Sequence, residues 1–154
     1  MNLDGRLSGV LHVLLHMADQ KGPVTSEALA RMMGTHPVVI RRVMAGLRDQ
    51  GYVRSGKGPG GGWTLACDPA HVTLRDIYDG IGSPSLFAIG NRNEASECAV
   101  EQAVNATLDG TLREAEAMLL ASFARVTLAS LRESVDERLE RRASKSAGGL
   151  SCGG

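Results

Sequence analysis

A glycine-rich loop beside two cations is the segment of this sequence with the clearest chemical consequence. Four of the five residues from Gly58 to Gly62 are glycine, and Arg54 and Lys57 stand just before them. Glycine is used where φ must be positive or where a side chain would block a close approach. Short apolar runs on both sides predict that the loop joins the two strands of a β-hairpin. A basic, exposed loop of this kind suits the groove of a nucleic acid.

The segment before the loop is predicted to form two helices joined by a tight turn. Thr25 is a good N-cap for the first helix, and Gly34 falls where that helix should end. Pro37 suits the first turn of the second helix, and Gly51 falls where a C-terminal glycine belongs. Apolar residues recur at spacings of three and four in both helices: Leu29, Ala30, Met33, Ile40, Val43, Met44 and Leu47.

The second of these helices carries the side chains that could contact DNA bases. Four of them lie near its exposed N-terminal end: Val38, Val39, Arg41 and Arg42. In helix-turn-helix proteins this end enters the major groove and touches base edges. Together with the hairpin, the order helix, turn, helix and wing predicts a winged helix-turn-helix domain.

The remaining pattern predicts a mainly α protein with a small β-hairpin wing. Thr73 and Asp76 should cap a short helix after the wing, and a long amphipathic helix begins near Cys98. A helix of this length outside a small domain usually packs on a copy of itself. The first helix should run from Leu3 to Gln20 and bury Leu7, Val10, Leu11, Leu14 and Leu15. The predicted boundaries are 1–82 for the winged helix-turn-helix domain, 83–97 for a loop, 98–140 for dimerisation helices and 141–154 for a disordered tail.

Composition and charge restrict the class of protein. The 154 residues are 43% hydrophobic and carry a net charge of zero, but residues 1–65 hold eight Lys or Arg against four acids. That half carries +4 and suits a phosphate surface, although ordinary surface charge is the plain alternative. No apolar run is long enough to span a bilayer, and no secretory signal is evident. Three widely spaced cysteines favour a reducing cytoplasm over a secreted disulfide framework.

Other reactive side chains do not assemble into a catalytic or metal site in the sequence. No Ser, His and Asp set is evident, and the glycine loop lacks the Lys-Ser or Lys-Thr ending of a phosphate loop. His12 and His16 share a helix face, but without a third ligand a satisfied interior or interfacial pair is the stronger interpretation. Trp63 either stacks on nucleic acid or, more commonly at the base of a wing, anchors the hairpin. The sequence therefore predicts neither an enzyme nor a metal-binding protein.

Cys98 is the candidate for a redox switch. It precedes the long helix, where the macrodipole and free N–H groups lower the pKa of a thiol, while Glu97 and Glu101 oppose this effect. A small residue that only packs against the start of the helix is an equally good interpretation. Cys152 is either a resolving thiol or incidental, and Cys67 is expected in the core.

Several motifs, in this order along the chain, resemble the Rrf-two family of bacterial winged helix-turn-helix regulators, and within it the YwnA-like branch. The resemblance covers about residues 3 to 135. His36 stands where the branch usually has asparagine. The motifs are His12; Thr25-Ser26-Glu27; Thr35-His36-Pro37-Val38-Val39-Ile40-Arg41-Arg42; Gly58-Pro59-Gly60-Gly61-Gly62; Asp68-Pro69-Ala70; Thr73-Leu74; Cys98-Ala99-Val100; and Val126-Thr127-Leu128.

The resemblance implies a homodimer held by the long C-terminal helix, with recognition helices in successive major grooves of double-stranded DNA and wings in the flanking minor grooves. By position, Val38, Val39 and Arg41 fall where family members read bases, and Lys57 falls where a wing arginine enters the minor groove. Arg41 would favour guanine through O6 and N7, or with Arg42 it would bind only phosphate. The predicted DNA-binding residues are Thr25, Ser26, Thr35, His36, Val38, Val39, Arg41, Arg42, Arg54, Lys57, Gly58, Gly60 and Gly61.

Some family members carry an iron-sulphur sensor held by three clustered cysteines, and this chain matches that pattern only in part. Of their three cysteines, only the last has a counterpart, Cys98, and residues 82–97 contain no cysteine. We therefore expect no iron-sulphur cluster, no zinc and no other cofactor. The expected protein is a cytoplasmic repressor of a pseudo-palindromic operator, with an oxidant or a small molecule as its signal. The alternatives are a regulator without a signal and a winged-helix protein-interaction module that does not bind DNA.

Overall fold

Residues 4–147 are described by the structure, a computed structural model, and form six helices and one two-stranded antiparallel sheet. This confirms the predicted class, mainly α with a β-hairpin wing. Within the described residues, no helix is long and apolar enough to cross a membrane. The elements are α1 (Arg6–Asp19), α2 (Ser26–Met33), α3 (Pro37–Asp49), β1 (Val53–Gly56), β2 (Gly62–Leu65), α4 (Leu74–Gly80), α5 (Ala99–Phe123) and α6 (Leu128–Ala147).

One hydrophobic core lies between the first four helices and the hairpin. Ile40, Met44 and Leu47 of α3 are almost completely buried in it, and their spacing of four and three places them on one helix face. Leu29 of α2 and Ile77 of α4 are equally buried. Burying one face of α3 leaves its opposite face to solvent.

The buried face of α1 differs from the predicted stripe. Val10 and Leu14 are buried as expected, together with Val13 and Met17. Three other residues of the predicted stripe are only partly buried, because the elements that pack on α1, which are α2, α4, β2 and α6, cover a face centred closer to Val13 and Met17. These three are Leu7, Leu11 and Leu15.

Capping side chains fix the limits of the helix-turn-helix. The Thr25 hydroxyl oxygen accepts a hydrogen bond from the backbone N–H of Ala28 at 3.2 Å. Helix α2 ends at Gly34, and His36 Nδ1 accepts from the Val38 N–H at 3.3 Å at the start of α3. These caps decide which side chains stand at the exposed end of α3.

The wing is anchored to the start of α2 through Trp63. Val24 and Trp63 exchange two backbone hydrogen bonds of 2.9 and 2.8 Å, and the indole N–H donates to the Ser26 hydroxyl oxygen at 3.0 Å. The Trp63 side chain is buried in the core. The anchoring interpretation of Trp63 is therefore confirmed, and the hairpin holds a fixed position beside α2.

The glycines of the wing serve two different purposes. Gly58 and Gly60 have a φ of 76°, which an L side chain rarely adopts, and a Cβ there would meet nothing within 4 Å. A Cβ on Gly61 would lie 2.5 Å from a carbonyl oxygen of β1, and one on Gly62 would lie 2.6 Å from the Val24 carbonyl oxygen. Gly61 and Gly62 therefore permit close packing within the chain, whereas Gly58 and Gly60 face open space at the wing tip.

Helix α6 returns to the winged domain after the long helix α5. The Leu128 N–H donates to the Val72 carbonyl at 2.9 Å, and the Leu128 side chain is buried in the core. Arg132, one turn later, forms an ion pair with Asp19 at the end of α1. The predicted cap of α4 lies beside this junction, where the Thr73 hydroxyl oxygen accepts from the backbone N–H of residue 76 at 3.2 Å.

The structure also differs from the predicted disordered tail, because α6 continues to Ala147 and residues 141–147 are helical. Arg141 pairs with Glu137 at 3.2 Å, and the Ser144 hydroxyl donates to the Glu140 carbonyl at 2.9 Å. Arg, Lys and Ala are good helix formers, so contacts four residues apart prolong this helix without an apolar stripe. Residues 148–154, with the remainder of the predicted tail, lie outside the described residues.

Crowding at Gly62 generates a first prediction. Gly62→Ala should destabilise the protein by about 2 kcal/mol or more, because the new methyl group collides with the Val24 carbonyl and strains the bridge to Trp63. Gly58→Ala, which adds strain in φ without a collision, should cost about 1 kcal/mol. Urea unfolding of both variants measures the difference. Equal losses would show that the approach of Gly62 to Val24 does not limit stability.

Candidate nucleic-acid interface

The N-terminal end of α3 presents apolar and cationic side chains to solvent side by side. Val38 is 50% exposed and Val39 is 38% exposed, although valine is among the residues most often buried. Arg41 and Arg42 are exposed as well. An apolar side chain in a major groove can contact the C5-methyl group of thymine, and a guanidinium can donate to guanine or to phosphate. The structure therefore brings these four predicted residues together at one accessible end of the helix.

Three other predicted residues use their acceptors within the protein and keep a donor for a partner. The hydroxyl oxygen of Thr25 accepts from a backbone N–H, and that of Ser26 accepts from the Trp63 indole, so each hydroxyl proton is left for another acceptor. His36 Nδ1 accepts from a backbone N–H, which requires a neutral imidazole to carry its proton on Nε2. Thr25, Ser26 and His36 can each donate to a phosphate oxygen.

The wing carries two separate cations, Arg54 in β1 opposite Thr64 and Lys57 in the loop that joins the strands. Arg54 and Lys57 are exposed, and neither forms an ion pair with any residue between 4 and 147. Gly58 and Gly60 are exposed beside them. Thr35, in the turn, and Gly61 are only partly exposed, as is Ser26 at the start of α2. Cations on an exposed wing are suited to phosphate contacts, and Lys57 in its loop is also suited to a narrow minor groove.

Arg41, in contrast, is paired across the two helices. Its Nη1 lies 3.6 Å from Oε1 of Glu27 on α2, and both side chains are more than half exposed, at 53% and 60%. An exposed pair of this kind contributes about 0 to 1 kcal/mol to stability. Its larger effect is on charge, since the carboxylate cancels the attraction of Arg41 for phosphate. Glu27 was not among the predicted contacts, because an acid in the first turn of a helix has an ordinary role beside the helix dipole.

Cys98 is the exposed N-cap residue of α5. The backbone N–H groups of Glu101 and Val100 lower the pKa of the Cys98 thiol, although its sulfur makes no capping hydrogen bond of ordinary length. The Ser96 hydroxyl donates a hydrogen bond to the Glu101 carboxylate at 2.6 Å. Cys67 packs against the core as expected, and burial raises the pKa of its thiol. Of these two cysteines, Cys98 is the more readily ionised.

Comparisons with known proteins agree with this geometry. The family model described as "Rrf2: Iron-dependent Transcriptional regulator" matches residues 3–134. YwnA of Bacillus subtilis (strain 168), which is described as an HTH-type transcriptional regulator, is 30% identical over 116 residues, covering 74% of this chain and 84% of YwnA. The HTH-type transcriptional regulator IscR of Photorhabdus laumondii is 27% identical over 92 residues, covering 60% of this chain and 50% of that IscR.

Solved structures share the fold. A crystal structure from Lactobacillus plantarum superposes with a TM-score of 0.73 at 23% identity, covering 93% of this chain and 99% of that one. IscR from T. potens superposes with a TM-score of 0.64 at 18% identity, covering 90% of each chain. These structures show the winged helix-turn-helix fold, and the family match shows that the chain is a DNA-binding transcriptional regulator. The chain belongs to the Rrf2 family, whose members matched here are regulators and not enzymes.

The family is described as iron-dependent, but the donor set of this chain does not fit the iron-sulphur cluster that some of its members carry. The loop before α5 has no cysteine between residues 82 and 97, which leaves Cys98 as the one thiolate of that region. Within residues 4–147, no three His, Cys, Asp or Glu side chains are grouped so that they could hold a metal ion. No step in the function of this protein is therefore derived through iron.

The Glu27 to Arg41 pair generates a second prediction. Glu27→Gln should strengthen binding to random duplex DNA about threefold and steepen the salt dependence by up to about 0.9 in log K against log salt, because it frees one cation for phosphate. Fluorescence anisotropy at several salt concentrations measures both effects. The control is the same change in an Arg41→Ala background, where the increase in slope should disappear. An increase of equal size in both backgrounds would show that Glu27 does not act through Arg41.

Proposed function

We propose that this protein is a cytoplasmic homodimeric repressor that binds a pseudo-palindromic operator. Its membership of a family of DNA-binding regulators supports the DNA-binding part. Two observations carry the more specific proposal: an exposed recognition end on α3, and a long helix α5 none of whose residues is fully buried in the described chain. One such face reads a few base pairs, so two copies are needed for an operator of useful length.

The exposed N-terminal ends of α2 and α3, together with the wing, determine how the protein docks on DNA. The N-terminal turn of α3 enters the major groove, where Val38 and Val39 contact thymine methyl groups and Arg41 donates to guanine O6 and N7. The hydroxyl groups at the start of α2 and the His36 imidazole contact the phosphates beside that groove. The wing places Lys57 in or along the flanking minor groove. The division assigns sequence readout to α3 and general affinity to the wing.

The surface for dimerisation is one face of α5. Val100, Val104, Leu108 and Met118 are 72, 51, 37 and 77% exposed. This face follows spacings of four and three, which is the repeat of a helix seam that packs on another helix. Its positions are Val104, Leu108, Thr111, Ala115, Met118 and Ser122. The other apolar side of α5 already contacts its own domain, with the Phe123 ring 6.1 Å from that of Tyr78. A second copy of α5 would remove the exposed face from water.

This seam generates a third prediction. Val104→Glu should weaken dimerisation at least tenfold, because a carboxylate in an apolar seam loses its hydration without gaining a partner. Size-exclusion chromatography with light scattering should give about twice the chain mass of 16.2 kDa for the parent and the chain mass for the variant. Ala106→Glu, on the opposite face of α5, is the matched control and should remain dimeric. A dimeric Val104→Glu protein would place the interface elsewhere.

Oxidation of Cys98 is proposed as the input that releases DNA. The thiolate sulfur attacks one oxygen of a peroxide, the O–O bond breaks, the leaving oxygen takes a proton to become water or an alcohol, and the sulfur becomes a sulfenate. Cys98 lies two residues before Val100, the first exposed apolar residue of the seam. A bulkier, more polar group at that point disturbs the start of the dimer helix and the spacing of the two recognition helices.

The fourth prediction concerns this thiol. Hydrogen peroxide should weaken DNA binding of the parent, and Cys98→Ser should abolish the response, as measured by anisotropy. The rate of oxidation should rise with pH and level off above the pKa of Cys98, which is lower than that of an ordinary thiol, because only the thiolate reacts. Cys67→Ala and Cys152→Ser serve as controls and should respond like the parent. An unchanged response in Cys98→Ser would remove Cys98 as the sensor.

A further inference from the structure

An apolar cavity of about 320 Å³ lies on the side of the winged domain, away from α3 and the wing tip. It is bounded by α1, the end of β2, the loop at residues 68–70 and the first turn of α6. The described dimer seam on α5 contributes none of its lining. Its apolar walls include Leu14, Leu15, Ala18, Leu65, Leu128 and Ala129.

The charged groups at the rim of the cavity are already satisfied within the chain. Asp68 accepts hydrogen bonds from the Ala70 N–H at 2.9 Å and pairs with His71 Nδ1 at 2.9 Å. Arg132 is paired with Asp19 and, at 3.1 Å, with Asp136. A charged ligand would have to break these pairs or leave its own charge without a partner in an apolar space. The lining therefore selects against ions and in favour of a neutral molecule.

We propose that this cavity is the binding site of a small, neutral, mostly apolar effector. Its volume falls in the range of small-molecule sites and is roughly twice that of an apolar cavity of about 150 Å³ that binds benzene. A molecule with one or two fused rings fits this space. Apolar walls that are not in contact with other atoms lose dispersion energy, and a ligand of this size restores those contacts.

The position of the cavity connects its occupant to both parts of the regulator. Leu65 is the last residue of β2, so one wall continues directly into the wing. Ala129 lies in the first turn of α6, and its N–H donates to the Pro69 carbonyl at 3.0 Å at the floor of the cavity. A ligand that presses on these walls changes the packing of α6 against the winged domain. Its effect on DNA rests on the proposed function, whereas its binding does not.

Binding is tested on the full-length protein with 2-naphthol as the neutral probe and 2-naphthoate as its charged counterpart. Amide correlation spectra should show 2-naphthol shifting the signals of Leu14, Ala18, Leu128 and Ala129, with 2-naphthoate at least tenfold weaker. Ala18→Leu, a change on an exposed helix surface that fills the cavity, should weaken 2-naphthol binding at least tenfold. Ala143→Leu, an equal change on an exposed part of α6 outside the cavity, should leave binding unchanged.

Three results would overturn the proposal. One is binding of 2-naphthol that survives Ala18→Leu, and another is equal or tighter binding of 2-naphthoate. The third is that the amide signals of the residues lining the cavity shift with protein concentration but not with 2-naphthol. That result would mean that a second copy of the chain covers the cavity. DNA affinity with and without 2-naphthol is measured separately. If the protein does not bind DNA even without 2-naphthol, the proposed function is contradicted. The proposed binding site for 2-naphthol is not affected by that result.

Discussion

The two backbone hydrogen bonds between Val24 and Trp63 are the constraint on which the candidate nucleic-acid interface depends. A two-stranded hairpin is marginally stable alone, and these bonds attach it to the segment that leads into α2. The Trp63 indole then fills the core and holds the Ser26 hydroxyl. The same contact thus fixes the wing, the start of α2 and the donors that stand there. Gly62 is required because the Val24 carbonyl lies where its side chain would be.

A second constraint is the return of α6 to the domain that α5 leaves. Leu128 is buried in the core and its N–H donates to the Val72 carbonyl, so the junction between α5 and α6 is held against the winged domain. In the proposed dimer, a seam on α5 therefore sets the distance between the two recognition helices. The cavity beside the first turn of α6 and the thiol at the start of α5 are the two places at which we propose that this distance is adjusted.

Local signals predict most of the fold, because caps and helical periodicity act over a few residues. Thr25, Pro37, Gly51 and the Thr73 cap all fall at helix ends where the sequence places them. The stripe of α1 is predicted imperfectly, since the neighbours that select its buried face come from distant segments. The end of α6 is missed because contacts between charged side chains, not an apolar pattern, prolong it.

The candidate site is predicted less completely, because some of its contacts join segments that are distant in the sequence. Exposure of Val38, Val39 and the two arginines follows from where α3 begins, which the sequence shows. The pairing of Arg41 with Glu27 requires the relative placement of two helices, and the cavity requires four separate segments. Only the structure distinguishes the roles of the wing glycines, because it shows that Gly61 and Gly62 lie against backbone atoms whereas Gly58 faces open space.

Selection of tightly bound duplexes from a pool of random DNA tests the central claim most directly, because it requires no knowledge of the operator. The account predicts enrichment of an inverted repeat whose half-sites are one helical turn, or a multiple of it, apart. Each half-site should contain a guanine that loses its preference when the selection is repeated with Arg41→Ala. Enrichment of a single half-site would contradict the dimer, and a pool that stays random would contradict base reading by α3.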